Sequence, residues 1–214
     1  VNWRLISKNK IRYFEFSWNN RFALYTTKYG QKSLVNTLRP VFLKQTHSAV
    51  IVDVDIQKKK TGDGLVSTTG KCLGVKIADC VPVYLFSSDR RICIIHCGWR
   101  GIIGGIARKA KDMLGGFHYI LGASIGPCCY EVKQDVVNFF KEEYSCAILT
   151  RNGKHYIDLK SAIIRDLGTE NLIASLNLCT RCHPEFFYSN RNGDTQRNYA
   201  IVSQNTIDST FVSE

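Results

Sequence analysis

Leu73-Gly74-Val75-Lys76-Ile77-Ala78-Asp79-Cys80-Val81-Pro82-Val83-Tyr84-Leu85-Phe86, followed after a polar turn by Ile92-Cys93-Ile94-Ile95-His96-Cys97-Gly98-Trp99-Arg100-Gly101, is the stretch that decides the fold. Short apolar runs bounded by turn residues read as strands over 72–78, 81–86 and 92–96. After Gly101 the period changes: Ile102, Ile106, Ala110 and Met113 share one helical stripe, which Gly115-Gly116 ends. Further out, 50–54 and 119–125 read as strands, and 172–178, 186–189 and 199–202 as strand-like runs. Val132, Val136, Val137, Phe140 and Tyr144 predict a second amphipathic helix. Ile157 closes a strand that leads into a third helix over Leu159–Leu167, capped by Asp158. Strands mixed with helices imply an α/β or α+β fold of packed layers.

A length of 214 residues suits one domain spanning 1–214 with a substantial core. With 44% hydrophobic and 22% charged residues, the composition is that of a folded soluble chain. No run approaches the ~18 apolar residues of a membrane span, so no membrane partner is expected. Val1-Asn2-Trp3-Arg4 starts no apolar signal region, and an opening on Val1 in place of methionine suggests a trimmed start. The net charge of +11 favours anions such as phosphate or nucleotides. The basic residues are scattered, however, and Lys58-Lys59-Lys60 reads as a solvated turn. No basic stripe is interleaved with aromatics, so nucleic acid is not an expected partner. Nine cysteines, an odd number in a chain that is not small, exclude a full disulfide framework and make a reducing cytoplasm the natural location.

Candidate chemistry collects at strand ends. His47 closes the run from Leu43, Asp79 and Cys80 sit where another run pauses, and His96 ends a third. Imidazole and thiolate are good zinc ligands, and three ligands from separated strand ends suit an open, catalytic site. Spacing alone leaves a hydrogen-bonded structural histidine and a core cysteine as alternatives. The turn through Gly98-Trp99-Arg100-Gly101 joins a strand to a helix start, where free backbone N–H groups beside Arg100 make an anion site; a tight turn that only allows close packing is the competing reading. Arg191 and Arg197 could reach an anion, with merely solvated loop arginines as the competing reading. Pro127 is expected to shape a loop wall, with Cys128 and Cys129 in a strand-like conformation pointing opposite ways. Cys179-Thr180-Arg181-Cys182-His183 matches the haem-attachment pattern, but no export signal accompanies it and the single methionine, Met113, falls in a predicted helix. A structural turn is the favoured reading; a redox pair, or a second metal site with Cys128 or Cys129, is the alternative.

Six ordered blocks carry a resemblance: KQTHS at 44–48, GDGLVST at 62–68, LGVKIADCVPVYLF at 73–86, IHCGWRGIIGG at 95–105, IGPCCYEV at 125–132 and CTRCHPEFFYSNRNGDTQR at 179–197. Through them the chain resembles the YfiH-type, laccase-domain family, long labelled multicopper polyphenol oxidases and associated with purine nucleoside phosphorolysis. The resemblance implies a layered α/β/β/α sandwich with mixed sheets, similar to cysteine-hydrolase-like toxins. It implies zinc, with copper as the other possibility, on His47, Cys80 and His96. Catalytic roles fall to Cys80, His96, Asp79 and Arg100, and substrate or phosphate contacts to Lys44, Gln45, Arg100 and Arg191. The implied reactions are cleavage of adenosine, inosine and methylthioadenosine with phosphate to base and ribose 1-phosphate, and deamination of adenosine. The partners are then small molecules, and the chain a monomer or weak homo-oligomer. Two departures stand out. Thr26-Thr27-Lys28-Tyr29-Gly30 is similar to the family's TTRxGG segment, but the loop from there to KQxH is much shortened. The family's paired arginines appear as Asn190-Arg191, and its acid before glycine as Asn192.

Other function classes are weaker. A multicopper oxidase needs many histidines, and of five here His118, His155 and His183 lie outside the metal-ligand set. A metal-free cysteine hydrolase would use Cys80 as nucleophile, His96 as base and Asp79 in support.

Overall fold

The structure is a computed structural model that describes residues 2–204, so Val1 lies outside the described residues. In chain order the first half contains β1 (Arg4–Lys8), β2 (Ile11–Trp18), β3 (Arg21–Thr26), α1 (Gln31–Leu38), β4 (Ile51–Asp53), β5 (Gly64–Ser67), β6 (Leu73–Ile77), β7 (Val81–Ser87) and β8 (Ile92–Cys97). The second half contains α2 (Trp99–Ile103), α3 (Ile106–Leu114), β9 (Phe117–Leu121), β10 (Glu131–Val132), α4 (Gln134–Phe140), β11 (Ile148–Arg151), β12 (Lys154–Ile157), α5 (Leu159–Leu167), β13 (Leu172–Ser175) and β14 (Asn198–Ser203). Strands and helices alternate through three sheets, a mixed α/β fold.

One sheet has five strands in the order β1-β2-β3-β14-β6, another six in the order β13-β9-β7-β8-β5-β4, and a small one has β10-β12-β11. The five-stranded sheet is antiparallel throughout. In the six-stranded sheet β13 runs parallel to β9 and β4 parallel to β5, while the central pairs are antiparallel.

Strand period explains the unbroken apolar runs. In β7 and β8, Val83, Leu85, Cys93 and Ile95 share a core with Ile102, Ile106, Ala110 and Ile163 of α2, α3 and α5. The alternate residues Tyr84, Phe86, Ile92 and Ile94 share another with Phe16, Tyr25, Val75 and Ala200 of the five-stranded sheet. Both faces of these strands are covered, so they show no polar alternation. Tyr13, Leu24 and Ile201 form a third cluster with Leu34 of α1.

The helical expectations need correction in three places. The stripe from Ile102 to Met113 is two helices, because Gly105 adopts φ 78° and breaks the path between them. After that break the buried face is Ile106, Ala107, Ala110 and Leu114, and Met113 is 37% exposed. The second helix is shorter than its stripe: Val132 pairs in β10 and Tyr144 lies beyond the end of α4, though buried. Residues 186–189 form no strand. Phe187 plugs the inter-sheet core, and the side chain of Asn198 occupies both backbone groups of Tyr188, accepting from its N–H at 3.0 Å and donating to its carbonyl at 2.8 Å. Lys58, Lys59 and Lys60 are exposed, as a solvated turn requires. No helix among the described residues is long and apolar enough to cross a membrane.

Asp158 caps α5 as its sequence position implies, its carboxylate accepting from the N–H groups of Lys160 at 3.0 Å and Ser161 at 3.2 Å. Asp158→Ala is expected to cost about 1 kcal/mol. That lowers Tm by roughly 2–4 °C in a chain of this size, measurable by thermal melts of the two proteins side by side.

Candidate active site

His96 ends β8 on the same face as Ile92 and Ile94, so its ring emerges at the open end of the inter-sheet core. Cys80 occupies the tight link from β6 to β7, where Asp79 is held at φ 83°. His47 lies in the segment before β4, itself at φ 58°. The fold thus brings all three together: their ligand atoms lie within 4.8 Å of one another, and the two imidazole rings stand 4.9 Å apart, edge to face. Gly98 leaves room for them, since a Cβ there would stand 3.0 Å from Cys80 Sγ and 3.2 Å from His47 Cδ2.

A residue that the motif reading left without a role organises the centre. Asp63, in the GDG of 62–64, is fully buried. Its carboxylate lies 2.9 Å from His96 Nδ1 and accepts from the backbone N–H groups of Thr46 at 3.1 Å, His47 at 3.0 Å and Ser48 at 2.7 Å. The Ser48 hydroxyl adds a further bond at 2.8 Å. With Nδ1 engaged, Nε2 of His96 is the nitrogen left for the centre, the usual carboxylate–histidine arrangement behind a metal.

Electrostatics match this geometry. Burial would raise the Cys80 thiol, but His96 and His47 beside it draw it down to about 6. Burial would lower His96, but the Cys80 sulfur and Asp63 raise it to about 9. Both shifts run toward a thiolate facing an imidazolium, and a thiolate is the form that binds a metal. Burial would push Asp63 up, yet its bonds to His96, Ser48 and Thr46 hold it well below the carboxylate range.

His47, Cys80 and His96 open into a cleft of about 620 Å³ that Lys44, Gln45, Lys76, Asp79, Trp99, Arg100, Tyr130, Arg191 and Arg197 also line. Every residue expected at the site is therefore at the cleft, but three have other tasks. The Gln45 amide donates to the Lys76 carbonyl at 2.9 Å and accepts from the Lys76 N–H at 2.7 Å, so Gln45 braces the wall. Asp79 accepts from the Thr180 hydroxyl at 2.7 Å and the Arg191 N–H at 2.9 Å. It anchors the arginine segment and does not support His96; Asp63 does. Arg197 spends one guanidinium nitrogen on the carbonyls of Asp194, Thr195 and Gln196. Arg100 and Arg191 are exposed, and their guanidinium groups stack on Trp99 at 4.4 Å and Tyr130 at 5.0 Å. Tyr130 and Trp99 are aromatic walls that the motif reading did not single out.

The three remaining histidines lie elsewhere. His118 packs on Trp18, His155 bonds Thr150 and His183 bonds Glu185. Cys128 and Cys129 also depart from expectation. They sit in a turn in which the Gly126 carbonyl accepts from both Cys129 and Tyr130 N–H, and both sulfurs approach Cys182, so they do not point opposite ways.

The family described as multi-copper polyphenol oxidoreductase laccase matches residues 27–204. The chain belongs to this family. It is 32% identical over 160 residues to a purine nucleoside phosphorylase of Clostridium acetobutylicum, covering 68% of this chain and 67% of that protein. It is 34% identical over 178 residues to a purine nucleoside phosphorylase of Borreliella burgdorferi, covering 75% and 77%. Adenosine deaminase RL5, from an unknown prokaryotic organism, is 34% identical over 184 residues, covering 72% and 70%. Among solved structures, YlmD of Geobacillus stearothermophilus superposes with a TM-score of 0.81 at 23% identity, covering 94% of this chain and 99% of that one. The YfiH protein of Bacillus licheniformis gives 0.79 at 24%, covering 93% and 98%. These two likenesses show the shared fold.

Removing the Asp63 carboxylate strands His96 and three backbone donors. Asp63→Ala is expected to cost about 3 kcal/mol or more in metal-free protein. The carboxyl is held low in the folded state and titrates near ~4 when unfolded. Its stabilisation is therefore present above about pH 4 and fades as pH falls toward the folded value. Denaturant melts of both proteins across acidic pH should show the gap narrowing; a gap constant with pH contradicts the assignment.

Proposed function

We propose that the chain is a zinc-dependent purine nucleoside phosphorylase that also deaminates adenosine. One observation carries this reading: a single cleft holds both a His₂Cys donor set and free guanidinium groups. The relatives named purine nucleoside phosphorylase and adenosine deaminase support the same pair of activities. The donor set fits zinc by its chemistry, two imidazoles and a thiolate with a buried carboxylate behind one ring. We include in the proposal an α/β/β/α sandwich similar to cysteine-hydrolase-like toxins, a reading supported by the three apolar cores.

The substrates on this reading are adenosine, inosine and methylthioadenosine, with inorganic phosphate. Arg100 and Arg191 each present a planar fork to phosphate oxygens, and Lys44 adds a point charge at the rim. Trp99 and Tyr130 offer flat faces for a purine. In phosphorolysis the bond from base to sugar breaks, a phosphate oxygen bonds to the sugar carbon, and the base leaves with negative charge and takes up a proton. The cations around the cleft stabilise that charge as it develops. Asp79 contributes by fixing the backbone of Arg191, each of its carboxylate oxygens accepting one hydrogen bond. When bound, zinc supplies a Lewis acid and water activation, the chemistry that deamination of a purine requires. With the purine edge toward His47, Cys80 and His96 and the ribose toward the arginines, one pocket serves both reactions.

Adenosine should yield adenine only when phosphate is present, and inosine whether or not it is. Chelation should abolish inosine formation. Chromatography of the products decides this: adenine released equally without phosphate rules out phosphorolysis, and inosine from metal-free protein rules out the metal's part. Arg100→Ala should raise the KM for phosphate by about tenfold or more, as loss of a charge-assisted contact implies. The KM for nucleoside should change much less; equal effects on both would make Arg100 a structural residue.

A further inference from the structure

Four cysteines that do not line the cleft converge on one point. Cys128 and Cys129 come from the turn after β9, and Cys179 and Cys182 from the segment after β13. All four sulfurs lie within 4.8 Å of one another. Cys182 Sγ stands 3.7 Å from Cys128 Sγ and 3.3 Å from Cys129 Sγ. A disulfide needs ~2.05 Å and a single partner. A tetrahedral ion with zinc–sulfur bonds of ~2.3 Å needs sulfurs about 3.8 Å apart. The observed spacing matches the second requirement.

Backbone donors gather at one of the four sulfurs. Cys179 Sγ accepts the Gly126 N–H at 3.2 Å and is approached by the backbone N–H groups of Arg181 and Cys182, the turn of a C-x-x-C knuckle. Four thiolates around a divalent ion carry a net charge of minus two. Cations stand nearby to balance it. Arg181 reaches the Cys129 carbonyl, Arg151 the Pro127 carbonyl, and the Lys160 ammonium, bonded to Ser175 Oγ and Leu176 O, lies within electrostatic range of Cys179.

We propose that Cys128, Cys129, Cys179 and Cys182 form a second, closed zinc site of structural type. Binding replaces four S–H bonds with four sulfur–metal bonds and releases the protons to solvent. No open position remains, so the site does no chemistry. It ties together the two segments that build one wall of the cleft: Tyr130 follows Cys129, and Thr180 and Arg191 follow Cys179. The Tyr130–Arg191 stack at 5.0 Å bridges the same two segments.

Metal content is the readout, so the result is separate from the reaction proposed above. Reduced, metal-free protein is loaded with zinc, desalted and analysed. Wild type should hold two equivalents, Cys80→Ala one, and the Cys129→Ser/Cys182→Ser variant one. Cobalt(II) loaded into Cys80→Ala should give the intense thiolate charge-transfer and tetrahedral d–d bands of an all-sulfur site, and a chelator should lower the Tm of that protein. If Cys80→Ala does not fold, His47→Ala takes its place. No zinc in Cys80→Ala, no cobalt–thiolate bands in that variant, bound iron in place of zinc, or disulfides among these four cysteines in protein prepared under reductant would each overturn the proposal.

Discussion

The buried carboxylate of Asp63 ties down three pieces of chain at once. It holds the backbone of Thr46, His47 and Ser48, it belongs to the entry of β5, and it grips the ring that ends β8. The side chain is fully buried. A charge there is tolerable only while every donor is in place. Both histidines of the triad therefore take their positions from one group: His96 through its ring and His47 through its backbone. Asp79 does the equivalent for the other half of the cleft, linking the β6–β7 turn that carries Cys80 to Thr180 and to the backbone of Arg191. Two buried aspartates thus set the relation between the donor set and the cations.

What could be read from the sequence follows from how local each determinant is. β7 and β8 announce themselves because both faces are buried and their apolar runs are continuous. The triad was visible because each ligand ends or interrupts such a run. Asp63 was not, since its partners are 15 to 17 residues away in one direction and 33 in the other. The hairpins among β1, β2 and β3 had a local signal that went unused. Asn9-Lys10 and Asn19-Asn20 all take positive φ, the conformation of tight two-residue hairpin turns, and asparagine favours it.

Other departures share one cause: backbone geometry overrode side-chain period. Ile102 and Met113 fit a single helical stripe only if Gly104 and Gly105 continue the helix, and Gly105 does not. Gly104 is also where the chain comes close to Ala49, whose Cβ would stand 3.1 Å from an added methyl. Cys128 and Cys129 would face opposite ways on a strand, but a turn puts both beside Cys182. The aromatic run at 186–189 has strand composition, yet its carbonyl and N–H groups find partners in Lys28 and the Asn198 side chain, with no ladder involved.

The triad itself fits a metal-binding centre better than a nucleophilic dyad. A cysteine nucleophile needs one base and a carboxylate to orient it. Here Cys80, His96 and Asp63 already supply that set, and His47 would be superfluous. Yet His47 is held in a left-handed backbone conformation, at φ 58°, with its N–H bound to the same carboxylate that orients His96. Such a conformation is costly for a residue other than glycine and persists only where the surroundings impose it. Its effect is to bring a second imidazole within ligand distance of the same sulfur. Two imidazoles and one thiolate converging from three chain segments satisfy a tridentate requirement that proton transfer alone does not impose. A metal ion held by Cys80, His47 and His96 would take over the charge that a proton on His96 otherwise supplies.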